Sequence, residues 1–178
     1  GINYAILKGL SFIDDMYSKD GIIYRNFGDV DILISPSDAS KVNSILVEMG
    51  LVQGIIHGNR IEKAKREELI YWSLNSHQLH KYVTFSSYAS ISPYFAIYVD
   101  INTTIFEGGK ITPPISTNEI LANTMIKSIQ SQTIKCLNHT YGLLQLCYHF
   151  YKDTVYEVKK RSHDNYCLLK FCDIREYI

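Results

Sequence analysis

Gly28-Asp29-Val30-Asp31-Ile32-Leu33-Ile34 decides the organisation of this chain, because it joins a glycine turn to an apolar strand that opens with two acids. Side chains alternate across a strand, so Asp29 and Asp31 project from the same face. Val30, Ile32 and Ile34 point to the other face, into apolar packing. The segment therefore predicts a buried strand that presents two carboxylates at its start.

Two neighbouring carboxylates repel each other and raise each other's pKa. A divalent cation between them relieves that repulsion, and Mg²⁺ takes oxygen ligands, usually one or two carboxylates together with substrate phosphates. Gly28 allows a backbone or a ligand to come close. We therefore predict Asp29 and Asp31 as metal ligands beside Gly28, the alternative being a solvated strand end.

A third acid, Asp100, stands alone within the apolar strand predicted over Tyr94–Phe106. A buried unpaired charge is costly, so Asp100 needs either a basic partner or a metal. If its strand lies beside that of Asp29 and Asp31, three carboxylates converge, which is enough for a two-metal site. A salt-bridged structural acid is the alternative.

Lys8-Gly9 stands where the first predicted strand passes into a helix. The free N–H groups and partial positive charge of a helix N-terminus suit phosphate oxygens, and Lys8 adds a full charge. Arg25 can reach the same triphosphate with a bidentate guanidinium. Plain connections with surface cations are the alternative for these residues.

The element pattern changes after Gly108-Gly109 and Pro113-Pro114. Residues 1–112 mix strands with helices, and residues 113–178 show helical spacing, so we expect an α/β core and a helical C-terminal section, either as two parts or as one domain. Strands are predicted over Asn3–Leu7, Ile22–Tyr24, Asp29–Ile34, Leu51–Ile56, Gln78–Ser86 and Tyr94–Phe106. Helices are predicted over Leu10–Lys19, Ser35–Gly50, Arg60–Trp72, Asn118–Gln130, Thr140–Tyr151 and Asn165–Ile178.

Composition limits the partners of the chain. Its 178 residues suit one compact domain, and 18 basic residues balance 18 acidic ones, so no global positive field attracts long nucleic acid. No apolar run approaches a membrane span, and no signal peptide opens the chain, which predicts a cytoplasmic protein. The cysteines lack CxxC spacing, so we interpret them as buried thiols on helix faces.

Three histidines are candidate functional groups. His77 and His80 have HxxH spacing, but in a predicted strand they do not face together as they do on a helix. His149 lies on an apolar helix and is interpreted as a core histidine. If the helical section folds over the cleft, His149 can touch the substrate, which makes it a minor candidate.

The order of these motifs resembles the uncharacterised bacterial nucleotidyltransferases of the DNA polymerase beta superfamily. The resemblance rests on Leu7-Lys8-Gly9, on Arg25 to Ile34 and on Val99-Asp100-Ile101, with support from the helices around His149 and Phe171. The superfamily usually has Gly-Ser where this chain has Lys8-Gly9, and the family often has a histidine shortly after the third acid, where this chain has Asn102.

The resemblance implies an α+β fold, with a small mixed sheet flanked by helices and followed by a helical C-terminal section. It implies Mg²⁺- or Mn²⁺-dependent transfer of a nucleoside monophosphate from an NTP to an unidentified acceptor, with release of pyrophosphate. Asp29, Asp31 and Asp100 would hold the metals, and Asp100 would help to deprotonate the acceptor. Lys8, Gly9, Arg25 and Gly28 would surround the nucleotide. The alternative is a catalytically inactive nucleotide- or protein-binding module with the same fold.

Overall fold

The computed structural model of the chain describes residues 1–12, 16, 18–19, 22–23, 28–86, 95–106, 113–129, 131–155 and 168–178. These residues form an eight-stranded mixed sheet in the order β6-β5-β7-β8-β4-β1-β10-β9, and a separate ribbon of β2 and β3. The strands are β1 Tyr4–Ile6, β2 Ser18–Lys19, β3 Ile22–Ile23, β4 Val30–Ile34, β5 Val52–His57, β6 Arg60–Lys63, β7 Tyr82–Phe85, β8 Ala96–Asn102, β9 Thr124–Ile129 and β10 Gln132–Leu137.

The described helices lie between and after these strands. Short 3₁₀ turns cover Gly9–Phe12 and Pro36–Asp38. The α-helices are α1 Ala39–Glu48, α2 Arg66–Asn75, α3 Thr117–Ala122, α4 His139–Val155 and α5 Leu168–Tyr177.

β4 occupies the middle of the sheet. It pairs in parallel with β8, so that Asp31 lies opposite Asp100, and antiparallel with β1, so that Ala5 lies opposite Leu33. A backbone hydrogen bond of 2.9 Å from Leu7 N to Asp31 O brings the end of β1 to the start of β4. This pairing sets the residues after β1 beside the two acids that open β4.

The two faces of the sheet are packed by different helices, which confirms the alternation predicted for β4. On one face, Ile34 packs in a core cluster with Val42 and Leu46 of α1, with Val30 and Ile32 beside it. On the other face, a second core cluster includes residues of β1, β4, β10 and α3. It consists of Ala5, Leu7, Leu33, Ile105, Phe106, Ile120, Leu121 and Leu137. Tyr141, Leu144 and Tyr148 of α4 pack against this cluster. Asp31 and Asp100 share the parity of Leu33, so they lie on the α4 face.

The structure confirms the α+β class, with a mixed sheet, flanking helices and helices at the C-terminal end. The prediction over Arg60–Trp72 is wrong in its first part, because Arg60–Lys63 forms β6. That strand pairs antiparallel with β5 across the Gly58 turn, where φ is +61°. The helix predicted over Leu10–Lys19 is also wrong at Ser18–Lys19, which is β2.

Residues 118–137 differ most from the predicted secondary structure. A helix was predicted over Asn118–Gln130, but α3 ends at Ala122, and Thr124–Ile129 is strand β9. β9 pairs with β10 over six residue pairs, and β10 adds to β1 in parallel. The section after residue 112 therefore contributes two strands to the sheet and is not purely helical. The boundary at residue 112 stays a prediction.

The cysteines follow the helix-face interpretation only in part. Cys136 is buried but lies on β10, whereas Cys147 lies on α4 and is exposed. Cys167 lies outside the described residues. None of the helices in the described ranges has both the length and the apolar character that crossing a membrane requires.

Leu33 tests the packing of β4, because its side chain is completely buried between β1 and the helical layer. Leu33→Ala removes buried methyl groups and leaves a cavity, so we expect the free energy of unfolding to fall by about 2–5 kcal/mol. Ile45→Ala on α1, where Ile45 is 41% exposed, is the matched control and should change it by about 0.5 kcal/mol or less. Urea unfolding of both variants measures this; equal losses would contradict the assigned packing.

Candidate active site

Three carboxylates meet at one place on the α4 face of the sheet. One carboxylate oxygen each from Asp29, Asp31 and Asp100 lies within 4.8 Å of the others. The parallel register of β4 and β8 places Asp31 directly beside Asp100, and Asp29 lies just before β4. Asp31 and Asp100 are each 7% exposed, and Asp29 is partly buried. The condition stated for Asp100, that its strand lie beside β4, is therefore met.

Two lysines balance part of this negative charge. Lys8 Nζ lies 3.0 Å from Asp31 Oδ2, and Lys81 Nζ lies 3.7 Å from Asp100 Oδ2. Burial alone lowers the pKa of Lys8, but Asp31, Asp29 and Asp100 together raise the pKa above its ordinary value. Lys8 therefore stays charged. Asp100 is expected to need either a basic partner or a metal, and Lys81 is such a basic partner; the sequence does not indicate Lys81, because strand pairing and not sequence spacing places it there.

The lysines do not fully stabilise the carboxylates. Burial raises the pKa of Asp31, with Asp29 raising it further, although Lys8 and a hydrogen bond with Asn102 lower it. Burial likewise raises the pKa of Asp100, together with Asp31 and Asp29, against the opposing effects of Lys81 and Lys8. Asp100 Oδ1 is buried and has no hydrogen-bond partner among the described residues. An oxygen-rich trio with one unsatisfied buried oxygen fits a divalent cation.

The predicted phosphate segment differs in shape from the expectation. Lys8 lines the cleft, but the turn that follows is a 3₁₀ segment of four residues, Gly9–Phe12, which has only a small dipole. Gly9 itself has φ +71°, which a residue with a side chain rarely adopts. The ammonium group of Lys8 is therefore the main positive charge at this point, and its predicted role toward phosphate stays a prediction. Arg25 lies outside the described residues.

Gly28 is exposed at the entrance to β4. No described atom lies within 4 Å of the position that a Cβ would take there. Packing against the described protein atoms therefore does not require glycine at this position. The predicted role of Gly28, close approach by a ligand, stays a prediction.

The acids open into a cleft of about 710 Å³. One wall is formed by α4, which contributes Gln145, Tyr148, His149 and Lys152. Another part of the lining is formed by the end of α2 and the segment that follows it, which contribute Tyr71, Trp72, Asn75, Ser76, His77 and Gln78. The cleft volume is in the range of small-molecule sites.

The α4 wall confirms the condition stated for His149, since the helical section does fold over the cleft. Gln145, His149 and Lys152 are three or four residues apart, so they share one helix face. Sequence reasoning passed over Gln145 and Lys152, although polar residues at this spacing on an otherwise apolar helix were a usable signal. Gln145 is 6% exposed, and its Oε1 has no hydrogen-bond partner among the described residues.

Lys170 of α5 adds a further positive charge close to the acids. Burial lowers its pKa to about 8, with further lowering from Lys8 and Lys152, although Asp173 and Asp29 act in the opposite direction. Lys8, Lys152 and Lys170 thus interact electrostatically although they come from three separate parts of the chain. Such a group of ammonium ions is stabilised by an anionic ligand.

The HxxH histidines, His77 and His80, lie apart from the trio of acids. Within the described ranges, the trio of acids is the group with metal-ligand geometry, and neither histidine belongs to it. His80 is buried against the edge of the Trp72 ring, with centroids 5.7 Å apart. Burial lowers the pKa of His77 to about 4, with Lys152 and Lys8 lowering it further, so His77 is neutral near pH 7.

Comparison with known proteins adds one result. The model of a family described as uncharacterised nucleotidyltransferase matches residues 1–178. No curated protein was found to match the chain.

Divalent cations should stabilise the folded chain through the acids. At a free Mg²⁺ concentration of about 100 times Kd, binding adds about 2.7 kcal/mol to the free energy of unfolding. At this chain length that raises Tm by several degrees. Asp31→Asn should remove the shift, while Glu48→Gln on the exposed end of α1 should retain it. Thermal unfolding with Mg²⁺ and with a chelator measures this; an equal shift in both variants would rule out the site.

Asp100→Asn should make the metal-free protein more stable at neutral pH. A carboxyl whose pKa is higher in the folded chain than its ordinary value of 3.8 binds more protons when folded, so wild-type stability declines as pH rises above that value. Asp100→Asn has no carboxyl to ionise at this position, so it does not lose stability in this way as pH rises. Lys81, which is 40% exposed, stays solvated without its partner.

Urea unfolding between pH 4 and pH 7 in a chelator tests this dependence on the raised pKa of Asp100. The advantage of Asp100→Asn over the wild type should grow with pH. An advantage that is constant or shrinks would show that the Asp100 carboxylate is not destabilised by its surroundings.

Proposed function

Because the chain belongs to the family of uncharacterised nucleotidyltransferases, we propose that it transfers a nucleoside monophosphate from an NTP to an acceptor and releases pyrophosphate. The observation that carries the proposal is the convergence of three buried or partly buried carboxylates in one cleft beside a group of lysines. Membership of the DNA polymerase beta superfamily is part of the proposal. So is a cytoplasmic location, where NTPs are abundant.

The metals in this proposal are Mg²⁺ or Mn²⁺, held by Asp29, Asp31 and Asp100. Their fit rests on the three oxygens within 4.8 Å of one another and on the unsatisfied Oδ1 of Asp100. When bound, the metals neutralise charge on the phosphates and on the attacking and leaving oxygens. The remaining tasks fall to side chains of this chain.

The triphosphate lies on the lysine side of the cleft. Lys8 is held at the acids by its 3.0 Å ion pair with Asp31, and Lys152 lines the α4 wall. Lys170 contributes from α5, where burial lowers its pKa to about 8, with Lys8 and Lys152 lowering it further. Bound phosphate raises the pKa of Lys170 again and so stabilises its charged form. These three cations stabilise the pyrophosphate as it leaves.

Asp100 acts on the acceptor. Its pKa is raised by burial and by Asp31 and Asp29, which brings the carboxylate closer to the range in which a general base works. In an in-line displacement, the acceptor oxygen attacks the α-phosphorus while the bond to the leaving pyrophosphate breaks on the opposite side. With pyrophosphate at the lysines, the acceptor enters from the side of α2 and residues 76–78. The balanced charge of the chain favours a small molecule, a peptide or a protein over long nucleic acid.

Incubation with each α-labelled NTP, in Mg²⁺ or Mn²⁺, tests the proposal by following release of pyrophosphate and transfer of label. Asp100→Asn should lower kcat by about 10²–10⁴-fold, because it removes the general base. Glu48→Gln, remote from the cleft, should leave kcat unchanged.

The outcomes separate the alternatives. A folded wild-type protein that binds no nucleotide contradicts the proposal. Nucleotide binding that gives no transfer, and that Asp29→Asn leaves unchanged, supports the inactive binding module instead.

A further inference from the structure

The wall of the cleft formed by the end of α2 and the residues after it has no charged side chain. It consists of two aromatic rings, Tyr71 and Trp72, followed by amide, hydroxyl and imidazole side chains up to Gln78. His77 is neutral near pH 7 because of its burial. Lys8 and Lys152 act on His77 from elsewhere in the lining, and the proposed triphosphate occupies them, so a second anionic ligand, such as a sugar phosphate or a nucleic-acid end, finds no further cation on this wall. The wall therefore favours an acceptor without charge.

Gln145 identifies the kind of polar group that the cleft lacks. Its side chain is only 6% exposed, yet its Oε1 accepts no hydrogen bond from any described residue. A buried acceptor without a donor is costly, so the site is complete only when a ligand supplies one. An ionised phosphate has no proton to donate, whereas a hydroxyl group does. Gln145 thus indicates a ligand that carries hydroxyl groups.

The aromatic side of the cleft indicates the shape of that ligand. Trp72 is held by its edge contact with buried His80, with centroids 5.7 Å apart, so its ring has a fixed support. Tyr71, which is 65% exposed, lies next to it at the rim. An aromatic ring binds an apolar surface, and the C–H face of a sugar ring is such a surface with hydroxyls around its edge. The amide of Gln78 both donates and accepts, as hydroxyls require.

We propose that the acceptor is an uncharged sugar or glycoside, which binds between Trp72 and Gln145 with one hydroxyl directed at Asp100. This inference rests on the proposed nucleotidyltransferase activity. The acceptor O–H bond breaks, with its proton passing to the Asp100 carboxylate, and a bond forms between that oxygen and the α-phosphorus. The bond from the α-phosphorus to the bridging oxygen breaks, and pyrophosphate leaves with that oxygen. The products are a nucleotidylated sugar and pyrophosphate.

A sugar fits this wall better than a peptide side chain does. A serine or tyrosine residue brings one hydroxyl, whereas the cleft offers hydrogen-bonding groups on both walls, including Gln78 and Gln145. A pyranose has hydroxyls around its whole ring and can meet groups on both sides at once. The test is therefore designed to distinguish a sugar acceptor from a peptide acceptor.

Trp72 makes the first test direct, because it is the only tryptophan in the sequence and so the source of all tryptophan emission. The full chain, with Mg²⁺ and an NTP analogue that cannot be cleaved at the α-phosphate, is titrated with a panel of probes. The panel contains methyl glycosides and disaccharides of the common hexoses, the matching hexose phosphates, and peptides containing serine or tyrosine. We expect saturable changes in Trp72 emission with neutral sugars, and binding of the matching phosphates that is about tenfold or more weaker.

The second test uses variants and labelled NTP with the best sugar of the panel. Gln145→Leu should raise KM for the sugar about tenfold or more, because a hydroxyl loses its partner, and leave KM for the NTP within about twofold. Its Tm should stay or rise, since it removes a buried acceptor without a donor. Gln132→Leu on exposed β10 is the matched control and should change neither KM. Trp72→Ala should raise KM for the sugar, and Trp72→Phe should restore most of the affinity.

The results distinguish this inference from the activity on which it rests. Nucleotide binding without binding or labelling of any neutral sugar in the panel overturns the sugar proposal, as does labelling of a peptide instead. If the NTP analogue changes Trp72 emission and no sugar does, the aromatic wall binds the base, and the proposal is equally wrong. Failure to bind nucleotide at all refutes the proposed function itself.

Discussion

Parallel pairing of β4 with β8 is the constraint on which the site depends, because it places Asp31 beside Asp100 in a largely buried position. Two such carboxylates raise each other's pKa, and burial raises both further. Lys8 and Lys81 offset this only in part, and Asp100 Oδ1 keeps no partner among the described residues. A sheet core that is apolar on both faces holds this arrangement in place despite its electrostatic cost.

The same arrangement divides the cleft chemically. Lys8, Lys152 and Lys170 come from the β1 end, α4 and α5, and the proposed triphosphate would relieve their mutual repulsion. The wall from Tyr71 to Gln78 has no such charge. An in-line displacement needs an anionic leaving group on one side and an attacking hydroxyl on the other, and in the proposed reaction the acids, which line the same cleft, serve both. The proposed reaction therefore follows from where the charges are and from where they are absent on the described walls.

The local sequence correctly predicted those strands and helices whose hydrophobic pattern agrees with their pairing in the structure. β4 and β8 were found because apolar runs interrupted by single acids are rare. α1 was found because Ser35-Pro36 predicts a helical start and Gly50 a stop, although Pro36–Asp38 is a 3₁₀ turn and α1 itself covers Ala39–Glu48. β6 and β9 were missed for a common reason. Short segments with alternating character, such as Thr124–Ile129, fit a helix or a strand by spacing alone, and only the partner strand decides between them.

The sequence by itself determined that Asp29 and Asp31 share a face and that Asp100 needs a partner, because strand alternation and the cost of a buried charge are local properties. It also indicated Lys8 as a cation close to those acids. Only the tertiary structure decided that Lys81 meets Asp100, that β10 joins β1, and that Gln145 and Trp72 line the same cleft. These contacts join residues far apart in the chain, and their geometry depends on strand register and helix packing, which no local pattern specifies.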